Sequence, residues 1–277
     1  MKLLFLTTVT MMAFAANSVL NRAAVGTGDM DALSFGVVRL VAGAVALAAL
    51  VVWQNRGFAF GGAGRGVAVA GLLIYIFGFS LAYRGLDAGL GALILFGVVQ
   101  MTMFGGAIAA REAVPTARWL GAGLALAGLV WLLTPGDGAA ISVTHAGAMA
   151  LAGFGWGLYS LQGRKEVDAT QATAMNFIFA APVAVVVFVL LSAESTITGA
   201  GLALAIVSGV ITSGAGYALW YAILPDLGAS RAAVAQLTVP VIAMAGGMVF
   251  LSEPLTMRFV GAAVLVIGGV LVSMRKS

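Results

Sequence analysis

Apolar runs, each near the length of a membrane-crossing helix, follow one another along almost the entire chain and are broken only by short stretches of charge, Gly and Pro. Such a helix needs about 20 apolar residues. Ten runs meet this requirement, at 3–24, 32–53, 66–84, 88–110, 117–134, 144–163, 171–192, 200–223, 229–250 and 257–274. The breaks are only a few residues long, as between antiparallel neighbours. Only 9% of the 277 residues are charged and 62% are hydrophobic, whereas a soluble domain carries about a quarter charged residues. An aqueous globular enzyme is therefore excluded. The expected fold is an all-α integral membrane protein of ten transmembrane helices, in one compact domain.

The net charge of +4 and pI near 9.8 do not call for nucleic acid, because cytoplasmic loops of membrane proteins concentrate Lys and Arg. With the N-terminus inside, Lys2, Arg56, Arg65, Arg111, Arg118, Arg164, Lys165, Arg258, Arg275 and Lys276 fall on the cytoplasmic side. Arg22, Arg84 and Arg231 fall outside, a bias of ten to three that places both termini in the cytoplasm. The first run imitates a signal peptide, with Lys2, an apolar stretch and Ala13-Phe14-Ala15. The repeat described next claims it as a structural helix, so cleavage is not expected. The absence of cysteine removes disulfides and thiolate metal sites.

Two segments of the chain are copies. Met103–Glu112 (MFGGAIAARE) aligns with Met244–Glu253 (MAGGMVFLSE) at an offset of 141. At an offset of 140, Thr116, Arg118, Gly121, Ala122, Gly128 and Val130 meet Thr256, Arg258, Gly261, Ala262, Gly268 and Val270. Leu81-Ala82-Tyr83 resembles Leu219-Trp220-Tyr221, and Phe14, Ser18 and Arg22 pair with Trp156, Ser160 and Arg164. The units are 1–139 and 140–277, five helices each. Five is odd, so the second copy enters from the opposite side. Inverted repeats are the architecture of many secondary transporters, with the substrate near the midplane between them.

The paired Gly-Gly…Glu…Thr-x-Arg-aromatic-x-Gly stretches, with a Tyr-bearing third or eighth helix before a small-residue fourth or ninth, are similar to those of the EamA group in the drug/metabolite transporter superfamily. In particular the chain resembles the YddG-type bacterial exporters of aromatic amino acids. The resemblance implies a ten-helix carrier of the bacterial inner membrane with cytoplasmic termini. Its cavity would be lined by helices 1, 3, 4, 6, 8 and 9, with helices 5 and 10 behind. It also implies a substrate among amino acids (aromatic, Met, Thr), other metabolites or drugs, exported rather than imported.

The residues able to line such a cavity are uncharged. Asn17 and Asn21 share a face of the first helix; Tyr75, Phe79 and Tyr83 form a stripe, as do Trp156 with Tyr159 and Tyr217 with Tyr221. Gln100 and Gln236 are amides within spans and must face protein or water, because an amide facing lipid is costly. Trp220 joins this set, although it, Tyr83 and Tyr221 also suit headgroup anchoring. Arg39 lies about seven residues into the second helix, roughly 10 Å deep; it is expected to snorkel or bind carbonyls, with a substrate carboxylate as the alternative. No acidic residue falls in mid-span, which leaves a proton relay unsupported. The lone His145 falls near the outer start of the sixth helix.

Other features read as scaffold or gate. Gly121/Gly128, Gly261/Gly268 and Gly105/Ala109 are expected to be packing patches, those on helices 5 and 10 alternatively a homodimer face. Glu112 and Glu253 are expected at cytoplasmic helix starts, as dipole anchors or as a gating latch to Arg118 or Arg258. Pro240 is expected to free the Gln236 carbonyl and kink the ninth helix beside the cavity, and Pro182 to act similarly in the seventh. No phosphate loop, His-Glu-x-x-His or Gly-x-Ser-x-Gly is present. The expectation is a non-enzymatic carrier without cofactor or metal, monomeric or dimeric in a lipid bilayer, working by alternating access. The other readings are a drug or cation exporter of the same fold, a dimeric small pump or scaffold, or a membrane enzyme.

Overall fold

A computed structural model describes residues 1–273 apart from 55, 56, 59, 61, 63, 112–114, 135–140, 165, 193 and 194. The described residues are helical throughout except for turns and one isolated bridge, Met30 with Ile197. The helices are α1 Lys2–Val25, α2 Ala32–Trp53, α3 Arg65–Ala82, α4 Ala88–Ala109, α5 Thr116–Leu133, α6 Val143–Gly163 and α7 Ala169–Leu191. They continue with α8 Gly199–Val207, a π-helical segment Ser208–Ala215, α9 Gly216–Gln236, α10 Thr238–Leu251 and α11 Met257–Ser273. Several starts are set by short polar side chains that accept an otherwise orphaned backbone N–H. Asp31 accepts from Ser34 at 2.9 Å, Asp168 from Gln171 at 3.1 Å, and Thr198 from Gly201 at 3.0 Å.

Six helical stretches are long and apolar enough to cross a membrane: Lys2–Val25, Ala32–Trp53, Arg65–Ala82, Ala88–Ala109, Ala169–Leu191 and Gly199–Leu227. Trp119–Leu132, Thr238–Leu251 and Met257–Gly269 are shorter apolar helices. α6 falls short of these because Thr144, His145, Tyr159, Ser160 and Gln162 dilute its apolar content. It can carry them because α3 and α4 pack against it. Between the eighth and ninth runs, expected to break at 224–228, the helix passes through Pro225 and the interruption falls at Leu237. Pro225 removes one donor there without ending the helix.

Glycine sets how closely these helices approach. α3 and α6 cross backbone to backbone: a Cβ on Gly155 would lie 2.6 Å from the Gly71 carbonyl oxygen, and one on Gly71 would lie 2.8 Å from that of Gly155. In lipid this close backbone packing, rather than escape from water, drives helices together. Gly155→Ala is therefore expected to destabilise by about 1–3 kcal/mol, the range for overpacking a tight core. A lowered melting temperature of the purified protein would show it; an unchanged one would mean that the crossing relaxes freely.

The small-residue patches partly move by one position. Gly128 and Gly261 do sit between α5 and α11, against Leu265 and Trp131. Gly269 there meets the Gly121 carbonyl oxygen backbone to backbone, whereas Gly268 faces open space. On α4, Gly106 packs on Leu161 while Gly105 is open.

Contacts between connections define two ends of the bundle. At one, Arg22 closing α1 meets Asp87 before α4 and Glu253 before α11, and Asp29 and Asp31 reach Thr198 and Thr196 before α8. At the other, Gln171 donates to the Gly57 carbonyl and Arg65 pairs with Glu166. Glu253 thus stands at the end opposite Lys2 and Arg65, which corrects its expected place on the cytoplasmic side. The reason is connectivity: α10 runs back toward the Arg22 end, so α11, with Arg258, starts there. By the same alternation Arg231, which precedes α10, goes with the Arg65 end. In the count of basic residues the two moves offset each other. Glu112 lies outside the described residues.

Candidate functional site

Midway along the bundle, six elements bring polar and aromatic side chains into one buried cluster. The four-residue spacing puts Tyr75, Phe79 and Tyr83 on one face of α3, with successive ring centroids 5.2 and 4.7 Å apart. α6 contributes Trp156, 5.0 Å from Tyr75 and 4.7 Å from Tyr217 of α9, together with Tyr159, stacked on Trp156 at 5.4 Å and on Tyr221 at 5.1 Å. Phe14 of α1 closes the group edge-on to Trp156, Tyr217 and Trp220. All of these rings are buried, so Trp220, Tyr83 and Tyr221 are core residues here rather than headgroup anchors. The Tyr83 hydroxyl donates to the Ala88 carbonyl and that of Tyr221 to the Tyr159 carbonyl.

Asn17 is the polar hub. Its amide donates to the Thr212 carbonyl at 3.1 Å and to the Tyr217 hydroxyl at 3.4 Å. Its carbonyl accepts from Ser208 at 2.8 Å, from Ser213 at 3.4 Å and from the Thr212 hydroxyl. The π-helical segment makes this possible, because its wide turns bring Ser208, Thr212 and Ser213 round to one acceptor. π-turns of this kind are frequent at functional sites. Close packing of this segment on α2 requires Gly209, where a Cβ would collide with the Arg39 carbonyl oxygen. Asn21 donates to Ser80 at 3.0 Å.

Arg39 does not snorkel. It is completely buried, and its Nε donates to Ser213 at 2.7 Å. Its Nη2 donates to Tyr75 at 3.0 Å and to Tyr217, and the two hydroxyls bond to each other at 2.9 Å. The guanidinium carbon lies 5.2 Å from the Tyr75 ring centre and 5.1 Å from that of Phe79, within cation–π range. Depth in the sequence leaves snorkelling, carbonyl binding and a substrate carboxylate open for Arg39, because it does not say which way a side chain turns. Ser208, Thr212 and Ser213 were missed because hydroxyls among Gly and Ala read as helix packing. The signal available was the density of Gly and Ser in SGVITSGAG.

No described hydrogen bond joins the Gln100 or Gln236 side chain to this cluster. Each keeps a buried amide atom, Nε2 and Oε1 respectively, without a partner among the described residues. Pro240 is the third residue of α10, in a first turn where its missing N–H costs nothing, so it does not release the Gln236 carbonyl from a helix interior. Pro182 does lie inside α7.

Two layers of contacts cap the cluster. At one end both Glu253 carboxylate oxygens accept from the Ala88 N–H at the start of α4, at 3.0 and 2.9 Å, and Arg22 adds a 3.3 Å contact. Arg22 also donates to the Tyr83 carbonyl at 3.1 Å. Burial pushes the Glu253 carboxyl above the ordinary carboxylate range, against the pull of the Ala88 N–H and Arg22. At the other end Arg65 donates to the Ala172 carbonyl at 3.1 Å and to Asn176 at 2.9 Å. Each layer joins residues before 139 to residues after 140.

Comparison with known proteins bears on what this arrangement serves. Residues 145–275 match the EamA-like transporter family. An uncharacterized protein of Pseudomonas aeruginosa is 42% identical over 96% of this chain and 92% of its own length. An uncharacterized transporter of Archaeoglobus fulgidus is 40% identical over 24% of this chain and 25% of its own. A solved crystal structure with 19% identity superposes with a TM-score of 0.71 over 97% of both chains, a likeness of fold.

Proposed function

The chain belongs to the EamA-like transporter family, and from that membership we propose a secondary carrier that exports small amphipathic metabolites, amino acids among them, by alternating access. It is a multi-pass membrane transporter; the substrate class, direction and mechanism are our reading. The observation that carries it is the buried cluster, to which residues 1–139 supply Asn17, Arg39 and Tyr75 while residues 140–277 supply Trp156, Ser213 and Tyr217. A site built by both halves changes access when one half rocks against the other.

Further support comes from helix pairing. α2 packs on α7 and α5 on α11; α6 meets α3 and α4 as α1 meets the α8–α9 span and α10. That is the exchange expected of two five-helix units related by a two-fold axis. Tyr83 and Tyr221, counterparts in the repeat, bond at opposite ends of the bundle. The basic bias toward the Lys2 end supports cytoplasmic termini in a bacterial inner membrane, with Glu253 facing out. Because the cluster closes within one chain, a monomer suffices, which disfavours a pump whose site lies between two copies.

Uptake of labelled phenylalanine, tryptophan, methionine and threonine into proteoliposomes, with and without a pH gradient, tests this reading. Saturable uptake of at least one without a gradient is expected, since no acidic residue lies in mid-span. Uptake that appears only with the gradient would overturn the downhill mechanism, and none at all would overturn the amino-acid assignment. Trp156→Ala is expected to cut the flux at least about tenfold, as loss of a central aromatic contact does elsewhere. Flux equal to that of the unaltered protein would remove Trp156 from the site.

A further inference from the structure

The guanidinium of Arg39 is a buried cation with no counter-ion among the described residues. An arginine offers five N–H donors; Ser213, Tyr75 and Tyr217 engage Nε and Nη2, and Nη1 has no partner although it is shielded from solvent. No described carboxylate pairs with it; the described ion pairs lie at the two ends of the bundle. An unpaired buried charge is strongly destabilising. The neutral hydroxyls and the ring faces of Tyr75 and Phe79 offset that only in part.

The neighbours also have donors to spare. The indole N–H groups of Trp156 and Trp220 are buried without acceptors, and their rings flank Phe14. Against them stand neutral groups only, among them the Asn21 carbonyl oxygen and the hydroxyl of Tyr159, whose ring stacks on Trp156. Among the described residues the cluster thus lacks an anion and offers no carboxylate for an ammonium group. With Nε donating to Ser213 and Nη2 to Tyr75 and Tyr217, the N–H groups of Nη1 are left to donate to a carboxylate oxygen in charge-assisted hydrogen bonds.

We propose that Arg39 is the anion-binding group of the transport site, so that the solute is recognised through a carboxylate while its flat or apolar body packs among Tyr75, Trp156 and Tyr217. The acid group is required and the amino group is not. This deepens the carrier reading and rests on it.

The test uses the purified full-length protein in detergent, with 3-phenylpropionate, phenethylamine and L-phenylalanine as probes of its melting temperature. Phenylpropionate and phenylalanine are expected to raise it in a saturable way, and phenethylamine is not. Arg39→Gln is expected to weaken the phenylpropionate response at least about tenfold, the scale of losing a charged hydrogen bond. Should Arg39→Gln fail to fold, Ser213→Ala keeps the charge but frees Nε, and a several-fold weaker response with the protein intact is expected. A response to phenethylamine with none to phenylpropionate overturns the proposal, as does undiminished phenylpropionate binding in both variants. Silence from all three probes overturns it as well; in that case uptake of any solute by proteoliposomes leaves the carrier reading standing, so the two failures are separable.

Discussion

Asn17→Leu lowers the stability of the protein by about 3 kcal/mol and abolishes flux, the largest effect we expect from one substitution in the core. A buried hydroxyl left without a partner costs about 1–3 kcal/mol. The Asn17 carbonyl accepts from Ser208, Thr212 and Ser213 at once. Thr212 has a second acceptor in the Ser208 carbonyl at 3.1 Å, and Ser213 also receives from Arg39. Ser208 has no alternative among the described residues, and leucine adds bulk where α1 meets the π-helical segment. Thermal unfolding of the purified variant checks this. A melting temperature equal to that of the unaltered protein would mean that the segment does not depend on α1 for its geometry.

The second large effect concerns the end capped by Glu253. Glu253→Ala removes the acceptor of the Ala88 N–H and the partner of Arg22 in one step. These contacts join the link before α11 to the starts and ends of α1, α3 and α4, so their loss should open that end of the bundle. The chain has no cysteine, which makes labelling clean. A cysteine introduced at the buried Ser18, one turn before Arg22, reports on the opening. We expect a membrane-impermeant maleimide to modify Ser18→Cys at least about tenfold faster in the Glu253→Ala background, since about 1.4 kcal/mol of closure energy gives that factor. Equal rates would show Glu253 to be an anchor for α4 and nothing more.

How much of this was legible in the sequence depends on the residue. The expected runs meet the helices within a few residues over most of the chain, because apolar length and Gly or Pro breaks act locally. The stripes Tyr75–Phe79–Tyr83 and Tyr217–Tyr221 were legible because four-residue spacing fixes a shared face whatever lies opposite. The partner of each stripe was not, since Trp156 against Tyr217 is a contact between distant segments. Arg39 was hidden for the same reason: an arginine near a span end ordinarily reaches water, and only the packing of α2 on the π-helical segment turns it inward. That segment lies so close to α2 only because Gly209 has no side chain. The end at which Glu253 stands follows from the number of crossings before it, which its likeness to Glu112 in the repeat does not reveal.

Counterflow in proteoliposomes tests the central claim, a single site opened alternately to either side, most directly. Vesicles preloaded with unlabelled phenylalanine, tryptophan, methionine or threonine receive a trace of the same labelled solute outside. A carrier of this kind predicts that for at least one of the four the label rises transiently above its equilibrium level, and that Asn17→Leu loses the overshoot. Entry of label that is indifferent to preloading, or no entry of any of the four, would contradict it.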